Sequence, residues 1–434
     1  MTDMNNRKLP AGIQSFKTIR EESYLYVDKT DIIWYLANRG KKYNYLSRPR
    51  RFGKSVLVDT LQMYLEGRKD LFEGLKIMQL EKEWKQYPVV RLDMSLAGSD
   101  PLSIKSYLND AFQEYEDSYG IIPLSTATLA VRFKRIITTA VKQTGNKVAI
   151  LIDEYDSPLQ HSWKTDRHKA CTDVYRDVFA VLKACDEHEK FVFITGVTKF
   201  TQISLFSVLN NLTNISFLPE YAPICGITEE EIKENFKPEL EEMGEVNNWT
   251  ALETHDKLKD YYDGYHFSRR NMIDIYNPYS LINALSTQEL SNYWAASGTT
   301  SLIPKFVDNI ELRLKNFEHC RIMRNTLELS DVSGGGAELF LYQSGYLTIK
   351  ECDEFGYILG FPNEEVKQAL YEMVLPALTL REESEIQSLQ ADLYAQLGTA
   401  QIDEAMKSLK ALIADVPYSN KKLDSMDIEE RYRL

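Results

Sequence analysis

The sequence predicts an α/β fold. A parallel sheet flanked by helices is followed by a helical, winged-helix-like part and a helical C-terminal segment. Three observations carry this. VAILI at 148–152 and FVFIT at 191–195 are continuous apolar runs, the pattern of strands buried on both faces of a parallel sheet. Amphipathic helical patterns alternate with such runs through the first half of the chain. From about Thr228 the texture changes to helical patterns joined by short loops, YDGYHF and YNPYS among them.

In chain order, the first predicted strand is 43–47, followed by a polar turn and a helix from Lys54 to about Glu66. A second strand, 89–94, is introduced by Pro88. Helical patterns at about 101–119 and 127–143 lead to the strand 148–152, and one more at about 167–185 leads to the strand 191–195. SGGGAE at 333–338 reads as a turn, since its glycines follow no clear strand. Residues 346–349 and 356–361 read as the two strands of a hairpin, and helical pattern resumes from Asn363. The implied domains are 1–227, 228–362 and 363–434.

Composition bounds the function. The 434 residues carry a net charge of −13, which argues against a general nucleic-acid coat, because phosphate binding needs a basic face. The opening MTDMNNRKLPAG lacks the apolar core of a signal peptide. No stretch approaches the roughly 20 apolar residues of a membrane span. Five scattered cysteines fit a reducing cytoplasm. His168 with Cys171 and Cys185 with His188 suggest two halves of a zinc site. One continuous helix would hold those cysteines about 21 Å apart, too far to share an ion.

RPRRFGKS at 48–55 carries the chemistry. It fits the second half of the P-loop pattern G-x-x-x-x-G-K-[ST]. Gly53 admits a phosphate to the backbone amides of Arg50, Arg51, Phe52, Gly53, Lys54, Ser55 and Val56. Lys54 brings a charge to the β- and γ-phosphates of ATP, and Ser55 a hydroxyl to Mg²⁺. Arg48 stands where the pattern has its first glycine.

KVAILIDEYD at 147–156 is an apolar strand ending in two acids, where ligands bind in α/β sheets. Asp153 suits Mg²⁺ and Glu154 suits the attacking water. Thr195 or Thr198, after the neighbouring strand, could sense the γ-phosphate or serve as a plain strand-end turn. A GTPase would need an [NT]-K-x-D loop, and TKFT at 198–201 has Thr201 in place of the acid. Phe16, Tyr26 and Asp28 are candidates for the base pocket. The alternative packs the aromatics in the core and pairs Asp28 with Lys29. His266, Arg269 and Arg270 are either a phosphate-reporting cation group or a solvated cluster.

These motifs, with GIQSF (12–16), YVDKT (26–30), FITGVTKF (193–200), YNPYSL (276–281), YQSGYLTIK (342–350) and PNEEV (362–366), resemble the bacterial AAA-ATPase-like family nearly end to end. Members often carry a C-terminal PD-(D/E)XK nuclease-like domain. The resemblance implies a cytoplasmic ATPase using ATP and Mg²⁺, with a nucleotide-driven switch. It leaves room for a DNA or protein partner at the winged-helix-like part, and for homo-oligomers. The alternatives are a non-hydrolysing nucleotide-dependent scaffold and a controller of a nuclease. Glu365, Val366 and Lys367 match (D/E)-x-K but read as a solvated helix start, and no later strand bears acids, so the nuclease core is expected to be absent.

Overall fold

A computed structural model describes residues 7–124, 126–200, 211–296, 303, 317–330, 336–379 and 383–413. Five strands form the central sheet: β1 (Tyr43–Ser47), β2 (Val89–Asp93), β3 (Val148–Asp153), β4 (Glu189–Gly196) and β5 (Thr213–Asn214). Their order is β2-β3-β4-β1-β5 and every pairing is parallel. β4, late in sequence, therefore lies between the strand that feeds the phosphate loop and the strand that ends in Asp153.

The period-2 geometry of strands sorts the side chains of β3 onto two cores. Ile150 and Ile152 pack with Phe112, Phe133 and Phe179 from the helices Pro101–Ser118, Leu129–Thr144 and His168–Ala184. Ala149 and Leu151 pack with Leu57 and Leu61 of the helix Lys54–Leu65 on the other face. Both faces are covered, which is why β3 is apolar at every position before Asp153.

The strand β6 (Ile227–Thr228) opens the helical part and pairs with β7 (Ile275–Tyr276). A third cluster, including Phe236, Met243, Leu258, Tyr262 and Leu281, holds its helices together. The expected hairpin is present as β9 (Thr348–Cys352) and β10 (Gly356–Gly360). β8 (Cys320–Met323) adds a third strand that period-2 reading misses, because it is only four residues long and apolar Met323 occupies one of its exposed positions. The helices Arg324–Leu329 and Gly336–Ser344 stand beside this three-stranded sheet in sequence, where a winged-helix-like part is expected.

Two compact units are separable: one takes in the described residues through Val366, the other the helical segment from Lys367. In the second, the helices Glu383–Gly398 and Ile402–Ile413 pack on each other and bury Ile386 and Ala405. Residues 333–335 of the glycine turn, Thr201 and the chain from 414 lie outside the described residues. Among the described residues no helix is long and apolar enough to cross a membrane.

Candidate nucleotide site

β1 delivers the chain to a tight loop whose backbone explains its residues. Gly53 has φ +85°, in the left-handed region where a side chain is strained, and the space beside its Cα is open. The helix Lys54–Leu65 begins at the next residue, so its first amides point into that space. Arg51 also sits at positive φ, 64°, and its guanidinium lies 4.8 Å over the Tyr279 ring. Arg50 donates to Oε1 of Gln160 (3.1 Å). The Phe52 ring turns away from the loop mouth into contact with Tyr265 (4.7 Å) and Phe267 (5.4 Å).

Arg48 is no phosphate ligand in this arrangement. It is 1% exposed, and its guanidinium donates to the carbonyls of Ser47, Ser216 and Tyr221 at 2.9, 3.0 and 2.9 Å. Burial lowers its pKa to about 10, which leaves it charged at neutral pH. The side chain that replaces the first glycine thus points into the protein and anchors the base of the loop. Lys54 is also buried, and its ammonium donates to the carbonyls of Arg48 (3.1 Å) and Pro49 (2.9 Å).

Opposite the loop, β3 ends in Asp153 and Glu154. Asp153 is 1% exposed; its Oδ1 accepts the Glu154 amide (3.0 Å), and its Oδ2 is buried without an aligned donor. Burial, then the Glu154 charge, raise its pKa to about 6, against the pull of the Ser55 hydroxyl and the Lys54 charge. Glu154 takes φ 48°, a conformation that costs a non-glycine residue on the order of 1–3 kcal/mol. Such strain is commonly held at functional sites.

A cavity of about 500 Å³ brings the loop and Glu154 together; buried Asp153 does not line it. Arg50, Arg51, Lys54, Ser55 and Glu154 form its polar end. Its apolar walls include Leu25, Val27 and Ile227, together with Phe236 and Ile282 from the helical part. Phe52, Gly53 and Val56 also line it. The size suits a small-molecule ligand.

The model of the family described as "Predicted AAA-ATPase" matches residues 10–206. An uncharacterized protein in the vnfD 5′ region of Azotobacter chroococcum mcd 1 is 32% identical over 401 residues, covering 89% of this chain and 74% of that protein. The chain belongs to the AAA-ATPase-like family. Among solved structures, the Aeropyrum pernix Orc1 protein in complex with DNA aligns at 11% identity. The match covers 86% of this chain and 95% of that one, and its TM-score of 0.27 marks a loose overlap only.

Of the other sequence candidates of this AAA-ATPase-like chain, all but Tyr26 fall outside the cavity. Thr195 is fully buried, with an unpartnered hydroxyl, and Thr198 is tied to Asp156 (2.6 Å); neither lines the cavity. Tyr26 does line it, whereas Phe16 packs in the core on Phe72 (4.9 Å). Asp28 does not pair with Lys29. It accepts from the Thr30 amide (2.9 Å) and hydroxyl (2.6 Å) at the start of the next helix, and Lys29 instead meets Glu231 (2.6 Å) across the fold. A two-residue sequence window cannot see that partner. His266 bridges Asp274 (2.7 Å) and the Ile349 carbonyl (2.8 Å), holding its loop to β9; with Arg269 and Arg270 it stays off the cavity wall.

Glu365 opens a helix, as expected, but it is not solvated. It is fully buried, and its Oε1 accepts from the Ser280 hydroxyl (3.0 Å) and the Trp294 amide (2.8 Å). Burial lifts its pKa to about 7. Sequence reading also missed Asp93, Ser95, His161 and Tyr279 on the cavity wall. Asp93 closes its strand with an acid as Asp153 does, but Arg91 interrupts the apolar run of VVRLD, so the sequence does not single it out.

Proposed function

We propose that this chain binds ATP with Mg²⁺ and hydrolyses it to ADP and phosphate, moving the helical part as the nucleotide changes. The observation that carries this reading is the meeting of Lys54, Ser55 and Glu154 on one cavity, with Ser55 and Lys54 also acting on the buried Asp153, whose Oδ2 lacks an aligned donor.

The residues present fit a divalent ion: the Ser55 hydroxyl stands at the helix N-terminus on the cavity wall, and it and the Lys54 charge act on the Asp153 carboxyl, whose Oδ2 has no aligned donor. The ion, when bound, supplies positive charge that offsets the charge developing on the phosphate oxygens. Ser55 and Asp153 would hold it. The first amides of the helix Lys54–Leu65 bind phosphate oxygens, and the Lys54 ammonium leaves its loop carbonyls for them. Glu154 takes the proton of a water attacking the γ-phosphorus, and the bond to the bridging oxygen breaks to release ADP. The apolar walls from Leu25, Val27 and Ile282 hold the nucleoside and exclude water. Phe236, Tyr279 and Ile282 come from the helical part, so a ligand in the cavity touches both parts at once. The implied domain limits 1–227 and 228–362 describe those two partners.

A second reading, a nucleotide-held scaffold that turns over little, is favoured by the Lys54 ammonium already being satisfied by its own loop. Titration with a fluorescent ATP analogue and Mg²⁺, beside phosphate release, separates the two. Saturable binding lost in Lys54→Ala together with released phosphate supports the ATPase. Binding without release supports the scaffold, and no binding by the parent protein overturns both.

A further inference from the structure

β2 carries a carboxylate to the same place. Asp93 and Asp153 are the last residues of adjacent parallel strands and stand in register. Residues in register share a face of the sheet, and the face is identified two residues earlier. Arg91 of β2 reaches the helix Lys54–Leu65, where it binds Asp59 (2.7 Å) and Gln62 (3.1 Å).

That helix leaves the C-terminal end of β1 through a short loop and runs back along the sheet. Two residues forward along β2 is a step of about 6.6 Å. Four residues back along the helix is about 6 Å. The step from Arg91 to Asp93 therefore matches the step from Asp59 to Ser55. This matching brings Asp93 to the level of Ser55, and both line the cavity.

Its carboxylate is held for this position. The Asp93 amide donates to the Tyr107 hydroxyl (2.9 Å), and Oδ1 accepts from the Ser95 amide (3.0 Å) and hydroxyl (2.7 Å). These bonds engage one carboxylate oxygen and leave the other for a ligand. A second, independent observation points to a cation: Asp153, its neighbour, is 1% exposed with an orphaned Oδ2.

Resting on the nucleotide reading above, we propose that Asp93 is a third oxygen donor for the divalent cation, acting directly or through one water beside Ser55 and Asp153. Among the described residues no three His, Cys, Asp or Glu converge as a closed cage. Mg²⁺ is commonly held by one or two carboxylates and completes its shell with phosphate oxygens and water, a demand that Asp93, Asp153 and Ser55 would meet without a closed cage. Asp93 raises cation affinity and at the same time repels a nucleotide that arrives without its metal.

The test uses the full chain and Asp93→Asn, which keeps an Oδ1 acceptor for Ser95 and removes the charge. Mn²⁺ binding in the presence of ADP is followed by electron paramagnetic resonance, with Asp153→Asn for comparison. Metal-free binding of a fluorescent ADP is measured in chelator. Asp93→Asn should weaken Mn²⁺ about tenfold, the usual scale for losing a group that supports a bound metal. Its metal-free ADP affinity should be equal or higher.

Mn²⁺ affinity within twofold of the parent in Asp93→Asn, with the ion lost in Asp153→Asn, would overturn the proposal alone. A fall in Mn²⁺ affinity and metal-free ADP affinity together would also overturn it, since that is the mark of a structural role. Absence of ADP binding to the parent, with metal or without, would overturn the nucleotide reading and this proposal with it.

Discussion

The Arg48 guanidinium lies 4.0 Å from the centre of the Phe267 ring, so the residue that opens the phosphate loop is clamped by an aromatic of the helical part. Phe267 and its neighbour Tyr265 also flank Phe52, four residues further along the loop. The loop is thus shaped from behind by side chains more than 200 positions away in sequence, and the space in front of Gly53 stays open.

Arg48→Gly, which restores the common P-loop glycine, should therefore weaken the protein. The carbonyls of Ser47, Ser216 and Tyr221 would lose a charged donor and remain buried. The expected cost is about 3 kcal/mol. Urea unfolding measures it. Stability equal to the parent, with tighter nucleotide binding, would show that Arg48 merely occupies the glycine's place.

Glu154→Gln should bind nucleotide as the parent does and lose turnover by at least about 100-fold, the usual minimum for removing a positioned base. The amide preserves size and the strained backbone, so folding is spared. Steady-state phosphate release with a parallel binding titration checks this. Turnover at the parental rate would remove Glu154 from the base role.

Trp294 carries a built-in optical report on the loop. Its indole is fully buried, its Nε1 donates to the Arg50 carbonyl (3.3 Å), and its ring meets Tyr346 edge-on at 4.8 Å. Nucleotide that repositions Arg50 should shift tryptophan emission, and Trp294→Phe should remove most of that shift. The same variant should lose about 1 kcal/mol of stability through the missing hydrogen bond. An emission change that survives in Trp294→Phe would place the reporter elsewhere.

The sheet was legible because parallel strands buried on both faces must be apolar throughout; β3 and β4 announce themselves. Gly53, Lys54, Ser55, Asp153 and Glu154 stand out as candidates because two short local motifs single them out, and all but Asp153 line the cavity. What escaped depends on contacts across the fold. Asp93 looks like the end of any strand until β2 is paired with β3. The apolar walls of the cavity come from about residues 10–33, 224–236 and 278–282, which no window can bring together. Glu365 follows Glu364 at a helix start, and nothing local distinguishes the buried acid from its exposed neighbour.

That buried acid gives the protein a pH dependence with a definite sign. Glu365 is raised from 4.5 to about 7 by burial, with the Trp294 amide and Ser280 hydroxyl lowering it only in part. Between about pH 4.5 and 7 the folded protein therefore holds a proton that the unfolded chain has released. Stability falls with rising pH wherever the folded state binds more protons. The contribution of Glu365 is full below pH 4.5 and is lost as the pH climbs through 7. Glu189 and Asp263, also raised to about 7 by burial, act in the same direction. Glu365→Gln holds the neutral form permanently and keeps an acceptor for Ser280 and Trp294. It should flatten the decline in stability between pH 5 and 8 by up to about 3 kcal/mol, at 1.36 kcal/mol per pH unit. Urea midpoints of parent and variant across that range measure the difference. Parallel curves would mean that Glu365 is already ionised in the fold, paired with a group that compensates its burial.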